Sequence, residues 1–242
     1  MIRTFKVLSL LLSYPTEAVQ AAAPELKAVL EQEALLPARM RARLADLIDE
    51  LAARDLLDLQ ERYVLLFDRT RSLSLHLFEH VHGEGRDRGQ AMIDLMELYE
   101  SGGLHIEAKE LPDYLPLFLE FLSTRPFGEA QALLSQPLHI LAALGERLRK
   151  RRSAYAAVFR ALTALAEGKP AAETLAALLD EPEDDPNDLE ALDQSWEDAP
   201  VTFGPTSAGS VAPGGGCPAA RASLARMDDG TPAAGKRSTS HG

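Results

Sequence analysis

Residues 37–53, PARMRARLADLIDELAA, carry the pattern that decides the fold class. The apolar positions of this stretch recur three or four residues apart, which is the spacing of one helix face; they are Leu44, Leu47, Ile48 and Leu51. The same spacing returns in a second stripe, formed by Met92, Leu95, Met96 and Tyr99. No run alternates apolar and polar residues long enough to indicate a strand. The sequence therefore predicts an all-α fold, a single compact bundle-like domain of about nine or ten helices.

Prolines, glycines and capping residues divide the chain into helices. Asp87 followed by Gln90 resembles a capping box, Pro112 suits the first turn of the next helix, and Gly168 before Pro170 marks a helix end. We expect helices at about residues 3–13, 16–33, 37–53, 55–67, 72–82, 87–101, 112–124, 127–151, 153–167 and 171–180, with ends uncertain by about two to four residues.

The last quarter of the chain differs in composition. Residues 181–242 hold 11 Asp/Glu and 4 Lys/Arg, so they supply more than half of the formal net charge of -12. Frequent Pro, Gly, Ala and Ser leave too little apolar area to offset the entropy of ordering. We expect a helical domain over residues 1–180 and a disordered tail over 181–242. A short apolar motif at 195–204, SWEDAPVTFG, is either a docking segment or a strip that packs on the domain.

Several classes of function are disfavoured by composition. Cys217 is the single cysteine, which excludes an internal disulfide framework and a cysteine-rich metal site and fits a reducing, cytoplasmic location. We expect no signal peptide, because the apolar run at 7–12 is short, and no membrane insertion. The one basic cluster, at residues 147–152, is interpreted as a solvated helix end, so we expect no nucleic-acid binding.

The string His76-Leu77-Phe78-Glu79-His80 matches the H-x-x-E-H pattern of inverted zinc proteases. On a helix, His76 and His80 would lie one turn apart, with Glu79 beside them as a base. Such a site needs a third ligand, and the acids available for it, Glu97, Glu100 and Glu107, stand in no supporting motif. We therefore favour capping or interhelical hydrogen bonds for these histidines and predict no metal site.

Residues 83–90, GEGRDRGQ, form a glycine-rich turn that leads into a helix. Arg86, Arg88 and Gln90 could contact a phosphate there, helped by the helix N-terminus. The spacing fits neither a P-loop nor a dinucleotide fingerprint. The alternative that we favour is a tight corner between helices, with the arginines paired to nearby acids.

Residues 110–123, ELPDYLPLFLEFLS, begin a helix that is apolar on almost all sides. Such a helix is either deeply buried or keeps one face for a partner. We find no G-x-S-x-G elbow, no cysteine nucleophile in a credible setting and no carboxylate pair that stands out from the surface acids. The residues thus predict a protein that is not an enzyme.

Three segments together resemble the nitrate reductase assembly chaperone family, the delta subunit of respiratory molybdenum-containing nitrate reductase. They are FDRTRSLSLHLFEHVHGEGRDRGQAMID at 67–94, ELPDYLPLFLEFLS at 110–123 and SWEDAPVTFG at 195–204. The resemblance runs from about Phe5 to Gly204, and residues after Gly204 have no counterpart in it.

The resemblance implies a fold and a function. Members of the wider superfamily are all-helical chaperones for molybdenum reductases. This family binds the N-terminal segment of the catalytic alpha subunit in the cytoplasm and supports insertion of iron-sulfur clusters and of bis-molybdopterin guanine dinucleotide before membrane docking. The implied partners are that subunit and proteins of molybdenum cofactor biosynthesis. No permanent cofactor is implied, only transient contact with molybdopterin guanine dinucleotide.

The resemblance also marks a hinge. Glu110, Pro112 and Asp113 resemble the Glu-Pro-x-Asp-His motif of the relatives, although Leu111 intervenes and Tyr114 stands where a histidine is usual. His76, Glu79 and His80 belong to the most specific block of the resemblance.

A chaperone for such a segment needs an apolar groove between helices. Methionine and aromatic side chains adapt well to a partner, and the candidates are Met92, Met96, Tyr99, Tyr114, Phe118 and Phe121. Core packing is the competing role for several of them. The alternative functions are a metal-dependent hydrolase built on residues 76–80 and a helical adaptor with an acidic tail. We favour a monomer, while a domain-swapped dimer remains compatible with proline-flanked hinges.

Overall fold

A computed structural model describes residues 1–81, 86–106 and 110–180, with the side chain of Arg86 excluded. The described residues form eleven α-helices and confirm the predicted all-α class. In chain order they are α1 (Arg3–Leu12), α2 (Glu17–Ala21), α3 (Ala23–Glu33), α4 (Ala38–Ala53), α5 (Leu56–Tyr63), α6 (Arg86–Ser101), α7 (Leu115–Ser123), α8 (Phe127–Ser135), α9 (Leu138–Lys150), α10 (Ala156–Leu165) and α11 (Ala172–Asp180).

Helix α1 lies at the centre of the core, because its apolar residues pack against α3, α7 and α10. Its contact with α7 also has a polar part. The buried Ser9 hydroxyl donates to the Pro116 carbonyl at 2.7 Å, and Lys6 pairs with Glu120. Pro116 occupies the first turn of α7, where its missing N–H costs nothing. The helix predicted at 112–124 therefore begins three residues later, at Leu115.

The N-terminus of α1 is capped from a distance. Glu33, at the end of α3, accepts hydrogen bonds from the backbone N–H groups of Arg3 and Thr4 and from the Thr4 hydroxyl. These are donors that the first turn of a helix leaves unpaired. A carboxylate at this position also opposes the positive end of the helix dipole, so this contact fixes α3 against α1.

Two predicted helices are each divided in the structure. The helix predicted at 16–33 is two helices, α2 and α3, because Pro24 lies in the first turn of α3 and has no N–H to continue the α2 ladder. The helix predicted at 127–151 is interrupted before Leu138 for the same reason, since Pro137 precedes α9. Where one helix was predicted at 55–67, α5 is followed directly by a π-helical turn, Val64–Asp68.

The helix predicted at 72–82 is wrong. This segment consists of two short 3-10 turns, Arg71–Leu73 and Leu77–His80, separated by extended backbone. The extended part forms an antiparallel β-bridge between His76 and Tyr114. A partner 38 positions away in the sequence thus overrides the local helical spacing.

The interpretation of residues 147–152 as a solvated helix end is wrong for its first member. Arg147 is fully buried, and its guanidinium donates to the Ser72 carbonyl at 2.8 Å and to the Leu178 carbonyl. A buried guanidinium is tolerated when carbonyl oxygens replace its water shell. Arg147 thereby ties α9 to α11 and to the 3-10 turn at 71–73.

Within the three described ranges, none of the helices has the length and apolarity that crossing a bilayer requires. The predicted tail, residues 181–242, and its apolar motif at 195–204 lie outside the described residues.

Candidate functional site

Two segments that the sequence singled out separately meet in the structure. Residues 74–80 and 110–115, called the motif junction below, are joined by backbone hydrogen bonds on both sides of the His76–Tyr114 bridge. The Leu77 N–H donates to the Asp113 carbonyl at 3.1 Å, and the Leu115 N–H donates to the Leu75 carbonyl at 2.9 Å. The H-x-x-E-H string and the hinge motif therefore form one structural unit.

Asp113 is the centre of this unit. Its carboxylate is fully buried; one oxygen accepts the Phe78 N–H at 3.0 Å, and the other lies 3.2 Å from Nδ1 of His76. The hydrogen bond to Asp113 raises the pKa of His76 against the opposing effect of burial, and the charges of Asp113, Glu79 and Glu110 raise it further. The buried carboxylate thus accepts a backbone amide and lies against a ring whose protonated form it favours.

The second histidine has a different partner. Nε2 of His80 lies 2.9 Å from the Ser74 carbonyl, while the Ser74 hydroxyl accepts the His76 N–H at 3.2 Å. Because residues 76–80 are not α-helical, the arrangement assumed for a shared metal ion between His76 and His80 is not present. Among the described residues, no group of three or more His, Cys, Asp or Glu is placed to hold a metal. His82 and Glu107 lie outside those residues.

Three tyrosine hydroxyls attach the motif junction to the helical body. The Tyr63 hydroxyl donates to the Leu12 carbonyl at 2.9 Å, so the Tyr114 hydroxyl, 2.9 Å from it, must be the donor between the two rings. The Tyr99 hydroxyl of α6 donates to the Pro112 carbonyl at 2.7 Å. Burial raises the pKa of Tyr63 and of Tyr99 far above the usual range. These hydroxyls therefore stay protonated and act as permanent donors.

The outer side of the motif junction is acidic. Asp68 and Glu110 are exposed and Glu79 is half-buried, and all three lie close enough to His76 to interact with its charge. Burial and the charge of Glu110 raise the pKa of Asp68. Arg88 of α6 faces this side, with its guanidinium 3.8 Å from the Glu79 carboxylate. This surface is suited to bind a positively charged group.

The six candidate peptide-binding residues differ in their exposure to solvent. Tyr99, Phe118 and Phe121 are buried in the core, and the tilted rings of Tyr99 and Phe121 pack with their centroids 4.9 Å apart. Met92 and Tyr114 are half-buried. Met96 is 43% exposed, and it is the most accessible of the six. Their role in binding remains a prediction.

Sequence reasoning missed two accessible apolar residues. Ile93 of α6 is 50% exposed, and Leu111 of the hinge motif is 46% exposed. The signal for Ile93 was its position beside the stripe of Met92 and Met96. The signal for Leu111 was its presence as an additional residue inside the hinge motif.

The candidate phosphate contacts are occupied by other groups where the structure describes them. Arg88 faces Glu79, and the Gln90 amide donates to Asp94 at 2.7 Å, so it does not close a capping box with Asp87. The side chain of Arg86 and residues 83–85 lie outside the described part of the chain. Phosphate binding remains a prediction.

Comparison with known proteins finds a matching family model and several relatives. The family model described as the nitrate reductase delta subunit matches residues 15–161, which include the whole motif junction. The Escherichia coli (strain K12) protein named nitrate reductase molybdenum cofactor assembly chaperone NarJ is 42% identical over 198 residues, 81% of this chain and 83% of its own. A probable chaperone of the same kind from that strain, NarW, is 40% identical over 82% of each chain. The probable Bacillus subtilis (strain 168) NarJ is 34% identical over 68% of this chain and 88% of its own.

Proposed function

The chain belongs to the nitrate reductase delta subunit family, and we propose that it is a cytoplasmic chaperone that binds the N-terminal segment of the apo catalytic (alpha) subunit of a respiratory nitrate reductase. The relatives are named as assembly chaperones and not as catalytic enzymes, which supports a binding role. The site for the segment is the outer face of α6 together with the acidic side of the motif junction.

The observation that carries this proposal is how α6 is attached. Arg88, near its N-terminus, faces Glu79, and Tyr99, near its C-terminus, bonds to the Pro112 carbonyl. Positions 88, 92, 95 and 99 share one helix face, so this face lies against the motif junction. Ile93 lies on the far side of the helix and Met96 at the margin of this face, and both are exposed. Because α6 is held at both ends, its exposed apolar side chains, Ile93 and Met96, form a strip on which an amphipathic helix can pack.

Charge defines the other half of the site. Asp68, Glu79 and Glu110 interact with the charge of His76 on the motif junction, and Glu79 also faces Arg88 of α6. A segment that presents apolar anchors on one face and Lys or Arg on another would contact both the strip and the acids. Surface charges of this kind mainly accelerate encounter and fix the orientation, whereas buried apolar anchors supply most of the affinity.

The proposed binding role also supports insertion of the cofactors into the catalytic subunit. By holding the N-terminal segment, the chaperone keeps the apo catalytic subunit open until its iron-sulfur clusters and its molybdenum cofactor are inserted, before membrane docking. The names of the relatives, molybdenum cofactor assembly chaperones, support this part. Arg86, Arg88 and Gln90 are the residues that would contact molybdopterin guanine dinucleotide transiently.

Isothermal titration calorimetry tests the binding site. The full chain is titrated with a synthetic peptide of the alpha-subunit N-terminus, and we expect binding with a negative heat-capacity change from apolar burial. The double variant Ile93→Ser/Met96→Ser should bind roughly thirtyfold or more weakly, since each lost anchor is worth about 1–2 kcal/mol. Leu57→Ser is the matched control, because Leu57 is 73% exposed on a different helix, α5. Equal affinity in all three proteins would exclude this site.

Deleting the gene tests the assembly role. The catalytic subunit should accumulate with little or no molybdenum, measured by elemental analysis of the purified subunit. Restoring the gene without residues 205–242 should restore the molybdenum content, because the resemblance ends at Gly204, whereas a helical adaptor that works through its tail would not restore it. A normal molybdenum content in the deletion strain would refute the assembly role.

A further inference from the structure

A second surface, separate from the motif junction, lies between α4 and the turn that joins α9 to α10. It is a groove of about 640 Å³ with an apolar floor that includes Met40, Leu47 and Ala157. Its rim is markedly basic and carries five arginines: Arg39, Arg43, Arg149, Arg152 and Arg160. We call it the arginine groove.

Acids within the domain neutralise only part of this charge. Arg43 lies 3.5 Å from Asp46, and Arg149 pairs with Glu146. The remaining acid of the lining, Glu50, is engaged by Arg54 and Arg62 outside the groove.

Three of the rim arginines have no such acid. Over the described ranges, the guanidinium groups of Arg39, Arg152 and Arg160 make no hydrogen bond or ion pair with the protein. The groove is therefore a positively charged surface above an apolar floor, and a complementary ligand has acids and apolar side chains close together.

Arg152 occupies its position at a conformational cost. Its φ is +54°, and the Ser153 N–H donates to the Leu148 carbonyl at 3.0 Å, which is the helix-ending pattern that normally places glycine at the left-handed residue. An arginine here gives up backbone stability and places a guanidinium at the rim. Glycine at position 152 would relieve the strain and remove the charge together.

We propose that the arginine groove binds residues 181–196 of the same chain. Their sequence, EPEDDPNDLEALDQSW, contains seven Asp/Glu and no Lys or Arg, together with Leu189, Leu192 and Trp196. The segment therefore combines the two properties that the groove selects, negative charge for the rim and apolar side chains for the floor.

The covalent connection makes this contact accessible. Helix α11 ends at Asp180, directly before the segment. Its Leu178 carbonyl accepts a hydrogen bond from Arg147 of α9. The last turn of α9 also carries Arg149, which lines the groove. Each extended residue spans up to about 3.3–3.6 Å, so 16 residues reach roughly 50 Å, more than the width of a small domain. Because the segment is tethered, its effective concentration at the groove is high.

Trp196 is the chain's single tryptophan, so its fluorescence reports on this segment in the unmodified full-length protein. Docking predicts a blue-shifted emission that acrylamide quenches poorly. Adding 1 M NaCl should shift the emission to the red, because at that ionic strength charges are screened beyond about 3 Å. The double variant Arg39→Ala/Arg152→Gly should show the same red shift without salt. The control variant Arg71→Ala/Lys169→Ala removes two exposed charges elsewhere and should retain the wild-type spectrum.

Each other outcome overturns the proposal. A solvent-like emission in the wild type shows that Trp196 is not docked. A blue-shifted emission that is unchanged in the double variant shows that it packs somewhere else. An emission that depends on protein concentration assigns the contact to a second copy of the chain.

A folded far-ultraviolet circular dichroism spectrum of the double variant excludes unfolding as the cause of a red shift.

Discussion

Replacing Asp113 with asparagine removes the negative charge from a fully buried position while leaving the shape of the side chain nearly unchanged. The amide oxygen can still accept the Phe78 N–H, but the amide NH2 group then faces Nδ1 of His76, where it can donate only to a neutral ring. The variant therefore separates the effect of the charge from the effect of packing at the motif junction.

The cost follows from two charge-assisted contacts. A hydrogen bond to a charged group is worth about 1.5–3 kcal/mol, against about 1 kcal/mol for a neutral one. Because Asp113→Asn keeps both contacts in weaker form, we expect a loss of about 1.5–3 kcal/mol in the free energy of unfolding. Asp113→Ala leaves the Phe78 N–H without an acceptor and creates a cavity, so its loss should be larger, about 3–5 kcal/mol.

The pH dependence gives a second measure. The pKa of His76 is raised in the folded protein, so its contribution to stability is fully present below about pH 6.5, the usual pKa of histidine, and is lost as the pH rises through the raised value. The wild type should therefore lose stability as the pH rises above about 6.5. Asp113→Asn removes the main cause of the shift and should flatten this slope.

Urea unfolding of the full chain at several pH values measures both effects. His76→Asn is the matched control, because it removes the titrating ring and keeps the carboxylate, and it should flatten the slope in the same way. A cost below 0.5 kcal/mol for Asp113→Asn, or a slope equal to that of the wild type, would refute the role given to this carboxylate.

Three further substitutions test other contacts by the same unfolding assay. Tyr63→Phe removes the donor to the Leu12 carbonyl and should cost about 1–2 kcal/mol, and no measurable cost would mean that water replaces the hydroxyl. Arg147→Met keeps much of the volume but deletes the donors to two buried carbonyls, so it should cost about 2–4 kcal/mol and expose α11 to limited proteolysis, whereas an unchanged digestion pattern would contradict the attachment. Arg152→Gly should instead stabilise the fold by about 1 kcal/mol, and a destabilised variant would contradict the strain inferred from its positive φ.

The local part of the fold was predictable from the sequence. The stripe that begins at Leu44 is buried over its whole length, because an amphipathic helix at the surface of a core has only one face to bury. The second stripe behaves differently, since Tyr99 is buried while Met96 is exposed. A single helix pattern does not tell which apolar residues face the core and which face solvent when the helix is attached mainly at its ends.

Long-range partners account for what the sequence alone did not reveal. His76 and His80 have helical spacing, but the backbone between them is held by contacts with Asp113, which is 37 residues away from His76. Arg147 belongs to a basic cluster by composition, but its partners are carbonyl groups 75 and 31 residues distant. Neither contact leaves a periodic signal. The hinge residues were identified by resemblance, and the structure adds the groups that they contact.

The bridge between His76 and Tyr114 also has a dynamic consequence. It closes a loop of about 37 residues that contains α6, and closing such a loop costs on the order of 3 kcal/mol of chain entropy, whatever α6 does inside it. Once the bridge has formed, α6 can separate from the body and return as one cooperative unit. In a hydrogen-exchange experiment the amides of α6 should exchange well before those of Leu77 and Leu115. The helix that presents Ile93 and Met96 would then open with a smaller free energy than the domain as a whole needs to unfold.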